Sequence, residues 1–452
     1  MQKLNVNDIV KATGGRLICG TGDFEISEIT TDSRKAGANM LFVPIAGENN
    51  DGHDYIGGAF ANGADAVITH KDIPPAAGRN IVRVKDTRIA LGDIARYYKE
   101  KYNLPTVAIT GSVGKTTTKD MVSAVLAMKY NTLKTQGNFN NDIGLPLTLF
   151  RLEHKHETAV VEMGMSHMGE IHYLASIAKP DTAIITNVGM SHIENLGSQE
   201  NIYKSKMQIC DFFTKDNLLI LNGDDPFLRR GCDKCRTVLY GIENKDCDLV
   251  AENIVNMGID GTKFTVRIDG AEHEFYVKIP GVHNVYNALA AIAAGRNYGI
   301  SAEDIAEGIR EFQLTDMRME IGKHGGVTVI NDCYNASPDS IRAALKVLGD
   351  IKAARKIAVL GDVLEMGAFA EKELYEVGLS MGNVDALITV GDNSRYIAKG
   401  AQLAGVETVH SFKATDDATA FLGEFLSEGD AVLVKASRGM HFEYIVAAIK
   451  SR

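Results

Sequence analysis

The sequence lacks any apolar segment long enough to cross a bilayer, and its first residues lack the apolar core of a signal peptide. We therefore expect a cytoplasmic protein with no membrane span, whose 6 cysteines stay reduced. Cys232 and Cys235 are spaced like half of a zinc site, but no second pair follows at the spacing of a zinc finger. We interpret this pair as a turn that carries two unrelated thiols.

Positive charge is also scarce. The 48 lysines and arginines are outnumbered by 58 aspartates and glutamates, which gives a net charge of −10. This balance argues against nucleic acid as the main partner, because binding to a phosphate backbone favours a basic face. A local basic pocket for a single nucleotide stays compatible with the composition.

Internal repeats, low-complexity tracts and proline-rich linkers are absent as well, so the joints between domains must be short. With 452 residues the chain is longer than one comfortable domain. We predict an α/β protein with three domains, at residues 1–84, 85–313 and 314–452.

The middle and last domains each alternate apolar β-like runs with helical stretches, which is typical of a mostly parallel sheet with helices on both faces. Late in the middle domain, two further runs flank Asp269-Gly270, which predicts a hairpin turn. The predicted strands include residues 159–162, 183–186 and 218–221 in the middle domain, and 327–330, 357–360, 386–390 and 431–434 in the last.

The most informative segment is AITGSVGKTTTKD at residues 108–120, a glycine-punctuated loop between a β-like run and a helical pattern. Such a loop presents backbone N–H groups at a helix N-terminus, where the helix dipole also favours negative charge. Lys115 would reach the β- and γ-phosphates and the Thr116 hydroxyl would bind Mg²⁺, so we predict that the chain binds ATP. The expected phosphate-binding residues are Gly111, Ser112, Val113, Gly114, Lys115, Thr116 and Thr117.

Two polar residues follow predicted strands of the middle domain, at the edge of the sheet where ligands bind. Glu162 ends one strand, and His192 lies just beyond the next. With the Thr116 hydroxyl they would complete a magnesium site around the triphosphate. The alternative for His192 is that it only caps a turn. Lys206 lies in a predicted helix beside Lys204, where an exposed lysine is the ordinary interpretation.

Further polar groups lie around the start of the last domain. Asn284 and Asn287 begin a predicted helix, and their amides suit an adenine edge, although Asn284 equally suits the helix N-cap. Arg318 is either a phosphate-binding arginine or an ordinary surface residue. Asp332 begins a strand-end loop of acid, aromatic and amide groups, where function tends to lie, and Asp339 in this loop is a candidate N-cap.

Taken in order along the whole chain, these segments resemble the Mur ligase family of peptidoglycan-precursor enzymes. Within the family, the sequence is most similar to the ligases that add a D-alanyl-D-alanine dipeptide. The ligases that add the third residue carry a His-Thr-Pro-type sequence at the loop after residue 332. The segments that carry the resemblance are TDSRKAGANMLFVPIAGENNDGHDYI, ITGSVGKTTTKDM, GNFNNDIGLPLTL, VEMGMSHMGEI, NVGMSHIENLGS, LNGDDP, GVHNVYNALAA, NDCYNASPDS, VLGDVLEMG and VKASRGM.

The resemblance implies catalytic roles around the triphosphate. Lys115 matches a phosphate-binding lysine, and Arg318 matches the arginine that contacts the γ-phosphate. Glu162 and His192 match metal ligands beside the threonine of the loop. Lys206 matches the lysine that many members carbamylate with CO₂, which turns a cation into a ligand for a second Mg²⁺.

The resemblance also implies residues that bind the rest of the substrates. These residues lie in all three predicted domains. They are Asn287 for adenine, Asp332 for the nucleotide, Ser33 and Arg34 for the UDP end of the substrate, and Asn138 and Asn141 for the muramoyl-peptide.

The implied protein is a monomer with a small α/β UDP-substrate domain, a central ATPase domain with a mostly parallel sheet, and a C-terminal Rossmann-like α/β domain. The implied reaction joins UDP-MurNAc-tripeptide to D-Ala-D-Ala through an acyl phosphate, with ATP as the source of phosphate. Three alternatives stay open: another amide ligase of the same superfamily, a nucleotide-dependent switch, and a UDP-sugar-binding protein without catalytic activity.

Overall fold

The computed structural model describes all 452 residues, which form three main β-sheets in chain order with helices packed against them. The middle sheet is mostly parallel. The predicted α/β fold class is therefore confirmed. None of the helices combines the length and apolar composition that crossing a membrane would require.

The N-terminal part contains a five-stranded sheet and a two-stranded ribbon. Its elements are strands β1 (Leu4–Asn5), β2 (Arg16–Cys19), β3 (Glu25–Ile26), β4 (Glu28–Thr30), β5 (Met40–Phe42), β6 (Ala66–Thr69) and β7 (Asn80–Arg83), and helices α1 (Val6–Thr13), α2 (Ile56–Ala61) and α3 (Thr87–Glu100). Strands β4, β5, β6 and β7 lie parallel in that order, β2 pairs antiparallel with β7, and β1 pairs with β3.

The central part contains a nine-stranded sheet. Its strands are β8 (Thr106–Thr110), β9 (Thr132–Lys134), β10 (Thr158–Glu162), β11 (Thr182–Ile185), β12 (Leu218–Asn222), β13 (Arg236–Gly241), β14 (Leu249–Asn256), β15 (Thr262–Ile268) and β16 (Ala271–Val277). Its helices are α4 (Lys115–Ala127), α5 (Gly144–Leu149), α6 (Glu170–Ala178), α7 (Ile193–Leu196), α8 (Gln199–Met207), α9 (His283–Asn297) and α10 (Ala302–Glu311). The strand order is β16-β15-β14-β13-β12-β11-β8-β10-β9, parallel from β14 to β9.

The antiparallel end of this sheet contains the predicted hairpin. Strands β15 and β16 pair from Thr262↔Val277 to Ile268↔Ala271, and Asp269-Gly270 forms the two-residue turn between them. Both turn residues have positive φ, at 49° and 85°. A two-residue turn with this geometry matches the right-handed twist of paired strands, which explains why Asp-Gly occupies it.

The C-terminal part contains a six-stranded sheet. Its elements are strands β17 (Glu320–His324), β18 (Val327–Asn331), β19 (Lys356–Gly361), β20 (Ala386–Val390), β21 (Thr408–Phe412) and β22 (Ala431–Lys435), and helices α11 (Pro338–Asp350), α12 (Ala370–Leu379), α13 (Arg395–Leu403), α14 (Thr415–Phe425) and α15 (Glu443–Lys450). The order is β17-β18-β22-β19-β20-β21, and only the β17–β18 pair is antiparallel.

The strand order determines which loops meet. In the central sheet β8 lies between β10 and β11, with Glu162 paired to Ile109 and Ile185 paired to Thr110. The ends of all three strands therefore lie side by side at the carboxyl edge, where open α/β sheets bind ligands. In the C-terminal sheet β22 lies between β18 and β19, so the loops that follow these three strands are neighbours as well.

Helix α9 is buried around almost its whole circumference because its alanine-rich sequence packs between α4 and the sheet. Helix α10 completes this layer and approaches α4 through a glycine. A Cβ atom at Gly308 would lie 2.8 Å from the Cα of Val125 in α4. The close approach of the two helices therefore depends on the absence of a side chain at this position.

Hydrogen bonds join the three parts of the chain to one another. The N-terminal part contacts the central part through α3, where the hydroxyl of Tyr98 donates to the Leu152 carbonyl at 2.7 Å. Within the N-terminal part, the hydroxyl of the neighbouring Tyr97 donates to Asp8 at 2.5 Å. In α4, the buried carboxylate of Asp120 accepts hydrogen bonds from the backbone N–H and hydroxyl of Thr315, at 3.2 and 2.8 Å. The segment that enters the C-terminal sheet is thus attached to the helix that follows the phosphate loop.

We expect Gly308→Ala to lower stability, because the added methyl group meets backbone atoms of α4 that cannot move aside. Overpacking of this kind costs about 1–3 kcal/mol, which exceeds the gain of up to about 1 kcal/mol from replacing a helical glycine with alanine. Thermal unfolding followed by circular dichroism checks this prediction. The control is Gly349→Ala in α11, where a Cβ would meet no atom within 4 Å. Equal midpoints for the two variants would contradict the packing argument.

Candidate active site

The carboxyl edges of the central and C-terminal sheets face each other across a cleft. A cavity of about 780 Å³ in this cleft is lined by Lys115, Glu162, His192 and Arg318, together with Asn138 and Asn141. A second cavity of about 120 Å³ lies beside it, against the phosphate loop. Its lining includes Ser112, Val113, Gly114, Lys115, Thr116, Thr117, Asn284, Asn287, Arg318, Asp332 and Lys435. The structure therefore brings most of the predicted site residues together.

The phosphate loop is held in shape by the end of strand β11. The N–H of Val113 donates to the Asn187 side chain at 2.9 Å, and the Thr186 hydroxyl donates to the Val113 carbonyl at 2.6 Å. A Cβ at Gly111 would lie 1.8 Å from the Thr186 hydroxyl, so only glycine fits there. Gly114, which precedes the first residue of α4, has a φ of 85°. The loop is thus already folded around the N-terminus of the helix, as anion binding requires.

Lys115 folds back over this loop. Its amine donates to the carbonyls of Gly111 and Ser112, at 2.8 and 3.4 Å. Burial lowers the pKa of the amine, the negative charge of Glu162 raises it, and the positive charge of Arg318 lowers it further. These three charged groups therefore act on one another across the cleft.

Glu162 is 2% exposed at the end of β10. One carboxylate oxygen accepts a hydrogen bond from the side chain of Asn140 at 2.8 Å, whereas the other, Oε2, is buried without any partner. A buried oxygen in this state is costly unless a donor or cation meets it. Thr116, which is 3% exposed, presents its hydroxyl in the first turn of α4. A hard cation such as Mg²⁺ suits these oxygen ligands.

The protein supplies only part of a metal site. No three His, Cys, Asp or Glu side chains converge closely enough to hold a metal ion by themselves. Mg²⁺ usually keeps several waters and takes further oxygens from substrate phosphates. The few protein ligands here therefore fit a metal that arrives with a nucleotide.

His192 lies at the start of α7 with a φ of 63°, and its side chain does not cap the helix. Its Nδ1 instead contacts the carboxylate of Glu365, in the loop that follows β19 of the C-terminal sheet. This hydrogen bond is the main cause of a lowered pKa of Glu365. His192 therefore occupies the N-cap position of α7, but it does more than cap a turn, because its side chain contacts the C-terminal part.

Lys206 is 1% exposed in α8, so its interpretation as an exposed helix lysine is wrong. No carboxylate contacts its amine. Burial lowers the pKa of Lys206 well below its ordinary value, and the nearby positive charge of Lys115 adds to this shift. The helical periodicity of the segment did not reveal this burial, because the neighbouring Lys204 is exposed.

Arg318 stacks on an aromatic ring of the C-terminal sheet. Its guanidinium carbon lies 4.3 Å from the ring centroid of Tyr334, and its Nε is buried without a hydrogen-bond partner. Next to it, the amine of Lys435 is paired with Asp332 and donates to the Asn335 carbonyl at 2.9 Å. Both cations therefore face the phosphate loop from the C-terminal sheet.

The amides at the start of α9 form a hydrogen-bonded chain. The Asn284 side chain donates to His283 at 3.1 Å and accepts from Asn287 at 3.0 Å, and Asn287 in turn accepts from the Thr118 hydroxyl at 3.1 Å. Burial lowers the pKa of His283 to about 4, so this ring is neutral at pH 7 and accepts the bond. Asn284 is not the N-cap of α9. The helix begins at His283, one residue before Asn284, so Val282 occupies the N-cap position.

The start of α11, in the segment after β18, also differs from the prediction. Asp339 is not the N-cap of α11; Ser337 is, with its hydroxyl accepting from the N–H of Ser340 at 3.3 Å. The sequence Ser337-Pro338 places proline in the first turn, where its missing N–H costs nothing. The carboxylate of Asp339 instead approaches Gly189, where a Cβ would lie 2.3 Å from Oδ2.

The predicted substrate residues divide into two groups. Asn138 and Asn141 line the larger cavity, and the Asn141 side chain accepts from the N–H of Gly144 at 2.8 Å. Ser33 and Arg34 lie outside both cavities, in the segment after β4, where Arg34 pairs with Asp32 at 2.9 Å and is 86% exposed. The structure therefore places these two residues away from the phosphate loop, with the Arg34 guanidinium exposed and paired within its own segment.

Comparison with known proteins agrees with this architecture. Models of a family catalytic domain, the Mur ligase middle domain and the glutamate ligase domain match residues 25–99, 109–295 and 317–438. The UDP-N-acetylmuramoyl-tripeptide--D-alanyl-D-alanine ligase of Bacillus subtilis (strain 168) is 41% identical over 427 residues, which cover 93% of this chain and 92% of that protein. The chain belongs to the Mur ligase family.

Solved structures of Mur ligases also match. A crystal structure of MurF from Acinetobacter baumannii is 30% identical, covers 100% of both chains and superimposes with a TM-score of 0.92. The MurF ligase of Thermotoga maritima in complex with ADP is 26% identical, covers 94% of this chain and 97% of that one, and has a TM-score of 0.84.

Four site residues of this Mur ligase were missed by the interpretation of its sequence. Lys435 is the last residue of β22 and Glu365 lies in the loop after β19, so a search for polar residues at strand ends would have found these two, whereas Asn140 and Tyr334 lie in segments rich in polar groups. The sequence did not show which residues they contact, because the hydrogen-bonded partners lie far apart in the chain. Asn140 and Glu162 are 22 positions apart, Lys435 and Asp332 are 103 apart, and Glu365 and His192 are 173 apart. They are Asn140, Tyr334, Glu365 and Lys435.

We expect Gly114→Ala to weaken nucleotide binding by this Mur ligase about tenfold or more. For a residue other than glycine, the left-handed conformation is roughly 1–2 kcal/mol less favourable. If this difference is lost from the free energy of nucleotide binding, the affinity falls about tenfold. The new Cβ would also lie 2.7 Å from the Asn287 side chain. Titration with a fluorescent ADP analogue measures the effect.

The matched control is Gly78→Ala. Gly78 also has a positive φ, of 71°, but a Cβ there meets no atom within 4 Å and the residue lies outside the cleft. The Gly78→Ala variant therefore has the same kind of backbone strain as Gly114→Ala, but no clash of the new Cβ with another residue. A Gly114→Ala protein that binds the analogue as tightly as this control would refute the role of the loop geometry.

Proposed function

We propose that this Mur ligase joins D-alanyl-D-alanine to UDP-MurNAc-tripeptide, with ATP as the source of energy. The observation that carries the proposal is the single cavity lined by Lys115, Glu162, His192 and Arg318, because it gathers phosphate-binding and metal-binding groups from two sheets. The name of the relative from Bacillus subtilis and its coverage of almost the whole chain support the choice of substrates.

In the first step, a carboxylate oxygen of the tripeptide attacks the γ-phosphorus of ATP, and the bond from that phosphorus to the β–γ bridging oxygen breaks. The products are an acyl phosphate and ADP. The loop N–H groups, Lys115 and Arg318 neutralise the negative charge that develops on the phosphoryl oxygens. Thr116, Glu162 and His192 would hold Mg²⁺, which would neutralise further negative charge on the phosphates.

In the second step, the free amine of the dipeptide attacks the acyl carbon. The C–N bond forms, the bond from carbon to the phosphate oxygen breaks, inorganic phosphate leaves and the amine loses a proton. An acyl phosphate is easily hydrolysed, so water must be kept away while the amine approaches. Tyr334 and Asn335 of the C-terminal part line the larger cavity and would help to keep water from an acyl phosphate formed there.

The remaining predicted residues bind the ends of the substrates. We propose that Asn287 contacts adenine and Asp332 contacts the nucleotide, since both line the cavity against the phosphate loop. Asn138 and Asn141 would face the muramoyl-peptide in the larger cavity. Ser33 and Arg34 would meet the UDP end, beyond the cleft.

We also propose that Lys206 is carbamylated. The reaction joins the neutral amine to CO₂ and releases a proton, so it requires an amine that is not protonated at neutral pH. Burial beside Lys115 lowers the pKa of Lys206 and thereby favours the neutral form. The carbamate would be an anion beside the Lys115 amine and would add an oxygen ligand for a second Mg²⁺.

The acceptor assay tests the proposed function directly. We expect the purified protein to release phosphate from ATP only when UDP-MurNAc-tripeptide and D-Ala-D-Ala are both present, because the acyl phosphate needs the amine for turnover. Coupled phosphate detection measures the rate. Release that is independent of any amine, with nucleotide-dependent binding of a partner protein, would favour a switch. Release with a single amino acid as acceptor would favour another ligase of the superfamily.

For Lys206, we expect Lys206→Ala to lose nearly all ligase activity and to regain part of it when a small carboxylate such as acetate is added. The added anion would replace the missing carbamate oxygens. Lys204→Ala is the matched control, because Lys204 lies on the same helix but is exposed. Full activity of the Lys206→Ala protein without carboxylate would rule out carbamylation as a catalytic requirement.

A further inference from the structure

One side-chain contact joins the two sheets directly at the site. The Nδ1 of His192, at the carboxyl edge of the central sheet, meets the carboxylate of Glu365, in the loop after β19. The contact spans 173 positions of the sequence. His192 and Glu365 also line one smaller cavity of about 250 Å³ between the sheets, together with Ser437 and Arg438. The pair is therefore part of the interface between the sheets, and its His192 side also lines the larger active-site cavity.

The backbone is arranged to bring the two side chains together. His192 and Glu365 both have the left-handed conformation, with φ of 63° and 60°. Residues other than glycine rarely adopt it, and they persist there where the surroundings hold them. The N–H of Glu194 donates to the Glu365 carbonyl at 3.3 Å, which fixes the two loops to each other.

A glycine makes this approach possible. Gly367, two residues after Glu365, has a φ of 49°, and a Cβ there would lie 3.0 Å from the side chain of Glu194. The loop after β19 thus lies close against α7. Together with the hydrogen bond from the N–H of Glu194 to the Glu365 carbonyl, this close approach places Glu365 next to α7.

The contact leaves the other ring nitrogen of His192 available. Nδ1 is engaged by Glu365, whereas Nε2 has no hydrogen-bond partner in the protein. The ring also borders the cavity that contains Lys115 and Glu162. A carboxylate on one imidazole nitrogen fixes the tautomer and the ring orientation, so that the other nitrogen is presented as a lone pair.

We propose that Glu365 is a positioning residue for His192, which it holds through Nδ1 so that Nε2 faces the reacting groups. The C-terminal sheet would then contribute to the reaction by orienting an imidazole of the central sheet, in addition to supplying Arg318. The expected effect on the reaction rate rests on the proposed function, whereas the expected tautomer of the His192 ring does not.

The first experiment determines the tautomer of the His192 ring by nuclear magnetic resonance. In protein labelled with ¹⁵N-histidine, the two ring nitrogens of His192 give a pattern of shifts that reports the tautomer, and His192→Gln assigns the signals. We expect wild type to show the Nδ1–H form and Glu365→Ala to show a mixture of tautomers. This measurement needs no substrate, metal or turnover.

The second experiment measures steady-state kinetics for Glu365→Gln and Glu365→Ala. Removing the partner of a metal-binding or catalytic histidine typically costs 10- to 100-fold, so we expect kcat to fall about that far in the Ala variant and less in the Gln variant. The KM for ATP should change less than about twofold, because Glu365 does not line the cavity against the phosphate loop.

The control is Glu371→Gln, which removes a charge from an exposed glutamate in the first turn of α12. It should leave the ring signals and the kinetics unchanged. Unchanged His192 signals in Glu365→Ala would overturn the proposal, and so would a changed ring with an unchanged kcat. Absence of acceptor-dependent turnover in wild type would instead contradict the proposed function, while the ring spectra would still decide whether Glu365 holds His192.

Discussion

The carboxylate of Glu162 is the group on which the arrangement of the site depends. Asn140 holds one of its oxygens, and the other is buried without a donor. The nearest cations act on it from a distance, because Lys115 bonds to loop carbonyls and Arg318 stacks on Tyr334. A buried charge in this state is stabilised when a ligand brings a cation to it. The chemistry of the cleft thus suits an anionic ligand accompanied by a cation, as in the proposed function.

The parts of this site that could be predicted from the sequence are those whose chemistry is local. The phosphate loop occupies a few consecutive residues, and its glycines, lysine and threonine act together in one turn. Glu162 and His192 could be placed because parallel strands end at a common edge, whatever lies between them. The hairpin at Asp269-Gly270 could be predicted because its signal is also local, since two adjacent residues define the turn.

The parts that could not be predicted depend on burial or on distant partners. Nothing beside Lys206 in the sequence distinguishes it from Lys204, yet the fold buries the first and exposes the second. The caps assigned to Asn284 and Asp339 were wrong because a cap depends on the residue at which the helix begins, and sequence patterns place that start only to within a few residues.

The division of the site between two sheets has a further consequence. Lys115 belongs to one wall and Arg318 to the other, and the tie between Asp120 and Thr315 sets the joint between them. A triphosphate bound as we propose would link the two walls, because each wall would supply a cation to the same anion. A small molecule that bound in the larger cavity and kept the two walls apart would therefore weaken the affinity for nucleotide. Such an inhibitor would not need to resemble either the nucleotide or the peptide.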